Sequence, residues 1–431
     1  MKIQKIKGFA DLFPDEAAKF TFLESRAREI FFRYGFGELR TPLLEHTELF
    51  AKSIGEDTDV VGKEMFTFPD RKGRLLTLRP EATAGVMRAF IEGADWQPGQ
   101  VRKYCTFGPM FRYERPQKGR QRQFHQINAE ILGATEPQAD AELILMLCAF
   151  LQDVGLERLS VELNSLGCRE CRPGFRKALT DFFTGLDQDK LCEDCRRRVG
   201  TNPLRVLDCK VPTCKELTAG APVLADHTCP ECRAHFETVK SLLDAAKVAY
   251  TLNPRLVRGL DYYQRTAFEI TSGEIGAQTA VAGGGRYDGL IQALGGPDVP
   301  GVGFACGMER LAMLLTQCPT QSLDFYLAVL DARAVDQALL LAQGLRARGL
   351  SGEVSYAAGS MKSQLRRANK SGAKLALVIG SDEFDKGEVL VKDMEGAGEQ
   401  RSISRERLLS MTAVSGVEGL LVAALPERSE A

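Results

Sequence analysis

No apolar run among the 431 residues approaches the ~20 that a membrane-spanning helix requires. The opening stretch Met1-Lys-Ile-Gln-Lys-Ile-Lys-Gly8 has no signal-peptide core, so a cytoplasmic protein without a membrane partner is expected. There is no excess of either charge. A formal net charge of -1 and a pI near 6.5 argue against a protein that coats nucleic acid non-specifically, and leave room only for localised basic patches. The chain also lacks any evident long-range repeat or low-complexity tract.

What is present suits a globular chain of two or three domains, with 44% apolar and 26% charged residues. Twelve cysteines would suggest disulfides in a small secreted protein. In a chain this long, eight of them fall between Gly167 and Phe236 as Cys168/Cys171, Cys192/Cys195, Cys209/Cys214 and Cys229/Cys232. Three of these are Cys-x-x-Cys pairs, the spacing that lets two thiolates bind one tetrahedral zinc, and eight thiolates suffice for two four-sulfur sites. The stretches 176–183 and 236–246 look helical, however, and a small helical insertion can equally bury reduced cysteines.

A long first helix is predicted over 15–34, with Pro14 and Asp15 as start signals and Gly35 as the stop. Glu38 to Glu45 reads as a short strand interrupted by Pro42, which places it at an edge or a bend. A hairpin is expected from Glu64–Phe68 and Leu75–Leu78 around the turn at 69–73. Glu81 and Thr83 then lie at the mouth of the next helix, where backbone N–H groups lack partners. They serve there as an N-terminal cap or as a site for a small zwitterion.

Two strand-like segments, Val101–Glu114 and Phe124–Leu132, flank the basic loop Arg115-Pro-Gln-Lys-Gly-Arg-Gln-Arg122. As an antiparallel hairpin they put Phe124, Gln126, Asn128 and Glu130 on one face. Guanidinium groups pair bidentately with phosphate oxygens, so the loop arginines predict a phosphate partner. Further on, Leu256-Val-Arg-Gly-Leu-Asp-Tyr-Tyr263 gathers Arg258, Asp261, Tyr262 and Tyr263 into a candidate polar pocket. Gly283-Gly-Gly-Arg-Tyr-Asp-Gly289 and Gly301-Val-Gly-Phe-Ala-Cys-Gly-Met-Glu-Arg310 imply close backbone packing against a ligand or a helix.

Beyond a linker at 317–322, strands and helices alternate, predicting a separate α/β domain with a mostly parallel sheet. Between Arg346 and Lys374 this domain carries seven basic residues and one acid, Glu353, a patch suited to a phosphate backbone.

Taken together these stretches resemble a class II aminoacyl-tRNA synthetase, specifically the histidyl-tRNA synthetase family. The segment around Pro42 resembles motif 1, Phe111-Arg-Tyr-Glu114 through Phe124 resembles motif 2, and Gly301–Arg310 resembles motif 3. Arg258–Tyr263 and Gly283–Tyr287 match the two stretches specific to the histidine enzyme, and the match runs from Gly8 to about Met411 apart from the cysteine-rich insertion. Ala82 departs from the pattern, where glycine is frequent.

The resemblance implies an α+β fold: a class II catalytic core on an antiparallel sheet, a helical Cys-rich insertion and a C-terminal α/β anticodon-binding domain. The expected boundaries are 1–166 and 241–318 for the two parts of the core, 167–240 for the insertion, 323–420 for the anticodon-binding domain and 421–431 for a tail. It implies a homodimer formed through motif 1. It further implies ATP, Mg²⁺, histidine and a histidine tRNA as ligands, with histidine activated as an adenylate and then transferred to the tRNA.

By the same resemblance, Arg112 would hold the α-phosphate and the substrate carboxylate, Glu114 the adenine amino group, and Phe124 would stack on adenine opposite Arg310. Glu81, Thr83 and Gln126 would bind the α-amino end of histidine, and Glu130 and Tyr263 the two imidazole nitrogens, with Tyr262 and Tyr287 lining the pocket. Arg258 would bridge the α-phosphate, where other class II enzymes place a metal ion, and Arg115, Gln117 and Arg120 would guide the tRNA acceptor end. Synthetase-like regulatory subunits of histidine biosynthesis share the core but lack both the C-terminal domain and the arginine at position 258.

Overall fold

The computed structural model describes residues 3–55, 58, 60–93, 96–257, 260–275, 280–316, 322–394 and 400–412. The chain divides into two compact units, residues 1–319 and 320–431.

The first unit begins with α1 (Pro14–Arg33), β1 (Gly37–Glu38), β2 (Leu44–His46) and α2 (Thr47–Ile54). Next come β3 (Phe66–Pro69), β4 (Leu75–Leu78), α3 (Thr83–Gly93) and the long strands β5 (Arg102–Phe111) and β6 (Gln123–Leu132). After α4 (Pro137–Asp153) and β7 (Ser160–Ser165) lies a purely helical segment of α5 (Cys171–Thr184), α6 (Glu193–Thr201), α7 (Pro212–Leu217) and α8 (Pro230–Ala245). The unit closes with β8 (Tyr250–Leu252), β9 (Gln264–Thr271), β10 (Ala280–Arg286), α9 (Leu290–Ala293), β11 (Gly301–Gly307) and α10 (Met308–Leu314).

Eight strands form one sheet in the order β1-β5-β6-β11-β10-β9-β7-β8, and β2, β4 and β3 form a small separate one. The five central pairings of the large sheet are antiparallel, while β1 joins β5 and β8 joins β7 in parallel at the two edges. Pro42 falls just after the edge strand β1, as the strand chemistry of proline demands. Alternation along β6 sorts its side chains: Ile127, Ala129 and Ile131 join the core behind the sheet, and Phe124, Gln126 and Asn128 face the other way.

The core is closed by α1, whose buried Phe20, Leu23, Ala27, Ile30 and Phe31 make one apolar stripe. Phe31 meets Phe304 of β11 edge-on and Phe150 of α4 likewise, each pair of ring centroids 5.8 Å apart. A fully buried ring of this kind contributes ~2–3 kcal/mol from its area alone. Helices therefore cover one face of the sheet; on the opposite face a second apolar cluster packs Val86, Met87 and Phe90 of α3 with Leu132 and Ala267, and the remainder borders a cavity.

The helical segment 166–249 interrupts two strands that pair with each other, Val161 opposite Tyr250 and Leu163 opposite Leu252. It therefore leaves and rejoins the sheet at one edge. Its outer helices are longer than predicted, and α6 and α7 were not predicted at all. A buried ion pair joins it to the core: Arg286 of β10 and Asp140 of α4 are fully buried, and His235 of α8 lies 3.3 Å from Asp140 Oδ1. Burial opposes the charge on Asp140. His235 and Arg286 outweigh it and hold the carboxyl below its usual range.

The second unit contains β12 (Phe325–Val329), α11 (Val335–Arg346), β13 (Gly352–Val354), α12 (Met361–Ser371), β14 (Leu375–Ile379), α13 (Ser381–Lys386), β15 (Glu388–Asp393) and β16 (Gln400–Ser404). The sheet order is β13-β12-β14-β15-β16. The expectation of a mostly parallel sheet is corrected: β12 pairs in parallel with β13 and β14, but β14–β15 and β15–β16 are antiparallel. A parallel return needs a crossover of roughly a dozen residues. The short α13 segment between Ile379 and Glu388 is too brief for one, so the chain turns back. Of the basic patch, Lys362, Arg366, Arg367 and Lys370 stand exposed on α12, whereas Arg346 is spent on the carbonyl of Gly352 at 2.7 Å.

Candidate active site

A cavity of about 310 Å³ opens on the face of the large sheet opposite α1. β5 and β6 supply one wall with Arg112, Phe124 and Gln126; β9 to β11 supply another with Glu269, Gly283 and Gly307; Tyr262 and Tyr263 close a third. Arg310, from the first turns of α10, lines the same space as Arg112. Two guanidinium groups from segments nearly 200 residues apart thus converge on one volume. Burial lowers the pKa of both, with Arg120 and Arg112 adding like charge around Arg310.

Local structure fixes each side chain. Arg112 donates to the carbonyl of Pro80 at 2.9 Å and lies with its guanidinium carbon 5.3 Å from the centre of the Phe124 ring. Arg310 donates to the carbonyls of Gly119 and Ala280, joining the hairpin loop to β10. Glu309, its neighbour, accepts from the backbone N–H of His125 at 2.9 Å and meets the His125 ring at 3.0 Å, which locks α10 against β6.

At the start of α3 Glu81 takes the capping position. Its carboxylate accepts the N–H groups of Thr83 and Ala84 at 2.7 and 2.9 Å, a cap, and it also lines the cavity. Burial raises its pKa. Gln126 also lines the cavity, with its buried Oε1 lacking a hydrogen-bond partner among the described residues. An unpaired buried acceptor costs ~1–3 kcal/mol, so this atom favours a donor on a ligand.

Glu130 and Tyr287 depart from the expected arrangement. Neither lines the cavity; both are about 1% exposed and lie one layer deeper. Thr83 donates to one oxygen of Glu130 at 2.7 Å and Tyr287 donates to the other. Burial pushes the Glu130 carboxyl up to about 8, against the pull of those two donors. Tyr287 completes a cluster with Tyr262 and Tyr263, its ring centroid 5.6 and 6.4 Å from theirs.

The glycine runs are explained by this layer. A Cβ on Gly303 would fall 1.6 Å from Glu130 Oε2, and one on Gly301 would fall 2.3 Å from the Tyr287 ring. Gly284 packs its backbone directly on Gly303 and Phe304. Gly307 is different: it has no close neighbour and simply borders the cavity.

In the basic loop, Gln117 and Arg120 exchange backbone hydrogen bonds of 3.0 and 2.9 Å, forming a tight turn. Arg115 and Gln117 are exposed at its tip. Arg120 instead folds back into the cavity wall and pairs with Glu114, its Nη2 3.1 Å from Oε1. Arg258 lies outside the described residues. Sequence reasoning missed Glu269 and Glu309 on the cavity wall, and Lys210 contributed by the insertion, while Asn128 lies on the predicted face of β6. The one advance signal among the three was the position of Glu309 beside Arg310.

The eight insertion cysteines gather into two quartets, Cys168/Cys171/Cys229/Cys232 and Cys192/Cys195/Cys209/Cys214. Within each, the four sulfurs lie within 4.8 Å of one another.

Known proteins similar to this chain fall in one family. A family model described as histidyl-tRNA synthetase matches residues 8–311, and one described as an anticodon binding domain matches residues 324–413. The chain is 64% identical over 406 residues to a histidine–tRNA ligase of Maridesulfovibrio salexigens, covering 94% of this chain and 98% of that protein. It is 62% identical over 415 residues to one of Nitratidesulfovibrio vulgaris strain DP4, covering 96% and 99%. Among solved structures, apo S. aureus histidyl-tRNA synthetase superposes with a TM-score of 0.79 at 34% identity, covering 95% of this chain and 99% of that one. The chain belongs to the histidyl-tRNA synthetase family.

Proposed function

We propose that this protein is a histidine–tRNA ligase: it activates histidine with ATP and transfers it to the 3'-terminal ribose of a histidine tRNA. The observation that carries this reading is the convergence of Arg112, Arg310, Gln126 and Tyr263 on one cavity, in a chain 64% identical to a histidine–tRNA ligase.

In the first step the carboxylate of histidine attacks the α-phosphorus of ATP, and pyrophosphate departs. Negative charge builds on the nonbridging oxygens, and guanidinium groups already in place stabilise it more in the transition state than before. Arg112 is assigned to the α-phosphate and the histidine carboxylate, with Arg258 as the second cation there. Adenine is assigned between Phe124 and Arg310, with its amino group on Glu114. Glu269 on the cavity wall is a carboxylate of the kind that would hold Mg²⁺, which would supply positive charge to the pyrophosphate.

The α-amino end is assigned to Glu81, Thr83 and Gln126, whose unpaired oxygen suits an ammonium donor. Tyr263 and Glu130 are assigned to the imidazole, with Tyr262 and Tyr287 around them. Beyond the two positions that Thr83 and Tyr287 occupy, the Glu130 carboxyl keeps acceptor capacity and, when protonated, an O–H to donate, so it can meet an imidazole nitrogen entering past Thr83 and Tyr263. An apolar isostere would leave those groups unpaired, which supports discrimination of ~10⁴ without an editing domain.

In the second step the terminal ribose hydroxyl attacks the carbonyl carbon and AMP leaves. Arg115 and Gln117, exposed at the hairpin tip, are assigned to the acceptor end. Arg120 sits between that tip and Glu114 and is assigned to both. The exposed cations of α12 are suited to the anticodon arm. Homodimerisation through the motif 1 region is supported by exposed Leu43, Leu44, Phe68 and Leu75 on and beside the small sheet. Histidine-dependent ATP–pyrophosphate exchange, followed by charging of a histidine tRNA, tests the reading. Folded protein that exchanges nothing would contradict it.

A further inference from the structure

The cysteine quartets join residues that the chain separates: Cys168 and Cys171 meet Cys229 and Cys232 across about 60 residues, and the second quartet is nested inside that loop. Sulfur separations of 3.5 Å (Cys168–Cys171), 4.0 Å (Cys168–Cys229) and 3.8 Å (Cys192–Cys209) are too long for disulfides, whose sulfurs sit ~2.05 Å apart. They match a different geometry. Four sulfurs at ~2.3 Å from one tetrahedral ion lie ~3.8 Å from each other.

The surroundings suit thiolates. Backbone N–H groups donate to sulfur in both quartets: Cys229 to Cys171 at 3.1 Å, Cys232 to Cys229 at 3.4 Å and Cys192 to Cys214 at 3.2 Å. The segment also needs a staple. Its inner helices α6 and α7 have nine and six residues, too short to persist on their own. Small helical units of this size gain stability from bound metal.

We infer that the insertion holds two zinc ions, one in each cysteine quartet, and that these ions fix the platform on which the loop carrying Tyr262 and Tyr263 rests. Three contacts join platform to loop. Arg172, next to the ligand Cys171, donates to the carbonyl of Tyr263. Asn202, at the end of α6, donates to Asp261 Oδ1 at 3.0 Å. Arg255 donates to the carbonyl of Thr218 at 2.8 Å, and the Thr218 hydroxyl in turn donates to the carbonyl of the ligand Cys214 at 2.8 Å. A tetrahedral all-sulfur site takes zinc or iron, and Cys-x-x-Cys pairs closing a small helical unit are the usual setting of a structural four-thiolate zinc.

The inference goes beyond the proposed ligase reaction, and its test is independent of it. Metal analysis of the full-length protein purified under reducing conditions is expected to give about two equivalents of zinc. The Cys195→Ser/Cys214→Ser and Cys171→Ser/Cys232→Ser variants should each keep about one equivalent. Amide hydrogen exchange of wild type with and without chelator provides a second readout, which does not depend on whether the variants fold. Zinc removal should speed exchange across residues 168–240 and 260–265 and leave β5 and β6 unchanged. Less than about 0.3 equivalents of zinc, iron in place of zinc, or exchange at 260–265 indifferent to zinc removal would each overturn the inference.

Discussion

Thr83 donates its hydroxyl hydrogen to Glu130 Oε1 across 2.7 Å, tying the first turn of α3 to the middle of β6. The carboxyl it reaches is fully enclosed and its pKa is pushed up to about 8, chiefly by burial. A raised acid pKa means that the folded state holds the proton more tightly than the unfolded state. The contribution to stability is full below the unfolded value near 4.5 and is lost as pH rises toward 8. Relative to wild type, Glu130→Gln should therefore gain stability by up to ~1.4 kcal/mol per pH unit between about pH 5 and 8. Urea unfolding of both proteins across that range measures it, and parallel pH profiles would refute it.

Gln126 leads to a prediction about binding rather than folding. Its buried Oε1 has no partner among the described residues, so replacing it with methionine removes no internal hydrogen bond from that atom. Gln126→Met should leave unfolding midpoints within about 0.5 kcal/mol of wild type. It should raise KM for histidine roughly 10- to 100-fold, the worth of a hydrogen bond to a charged amine. Unchanged KM with unchanged stability would remove Gln126 from the histidine site.

Gly303 has no room for even one added carbon. The Cβ of an alanine there would sit 1.6 Å from Glu130 Oε2 and 2.8 Å from the carbonyl oxygen of Ala129. Overpacking of this kind costs ~1–3 kcal/mol. Gly303→Ala should lower stability by that amount and displace Glu130, whereas Gly307→Ala should not, since the nearest atom to its added Cβ is 4.0 Å away. Thermal melts of the two variants side by side separate the cases.

Asp140 and Arg286 form a charged pair with no exposure on either side chain. Arg286 also donates to the carbonyl of Ala134 at 2.8 Å. Asp288 also pairs with Arg286, at 3.2 Å, but is itself partly exposed, so Asp140→Ala should still cost ~3 kcal/mol in denaturant unfolding. Loss of under ~1 kcal/mol would mean that water or Asp288 already compensates the charge of Arg286.

Sequence and structure agree where chemistry is local. The β5–β6 hairpin, its alternating face of Phe124, Gln126 and Asn128, and the capping position of Glu81 follow from period and helix-start signals within ten residues. The Asp140–Arg286 pair spans 146 positions, and nothing in either neighbourhood announces the other. Cysteine spacing identifies pairs but cannot say that Cys171 joins Cys229 rather than Cys192. Glu269 reads as an ordinary polar strand residue until β10 and β11 fold beside it. The depth of Tyr287 and Glu130 is not legible in sequence, because it depends on how closely the glycines let β10 and β11 approach. The antiparallel half of the second sheet was missed for a similar reason: α13 is too short to announce itself by periodicity.

The central claim is that Arg112 and Arg310 act on one bound nucleotide. Histidine-dependent ATP–pyrophosphate exchange by wild type, Arg112→Ala and Arg310→Ala tests it most directly. Exchange should be robust in wild type and fall ~100-fold or more in each variant, about 3 kcal/mol of transition-state stabilisation, with circular dichroism unchanged. A wild-type rate in either folded variant would contradict the account.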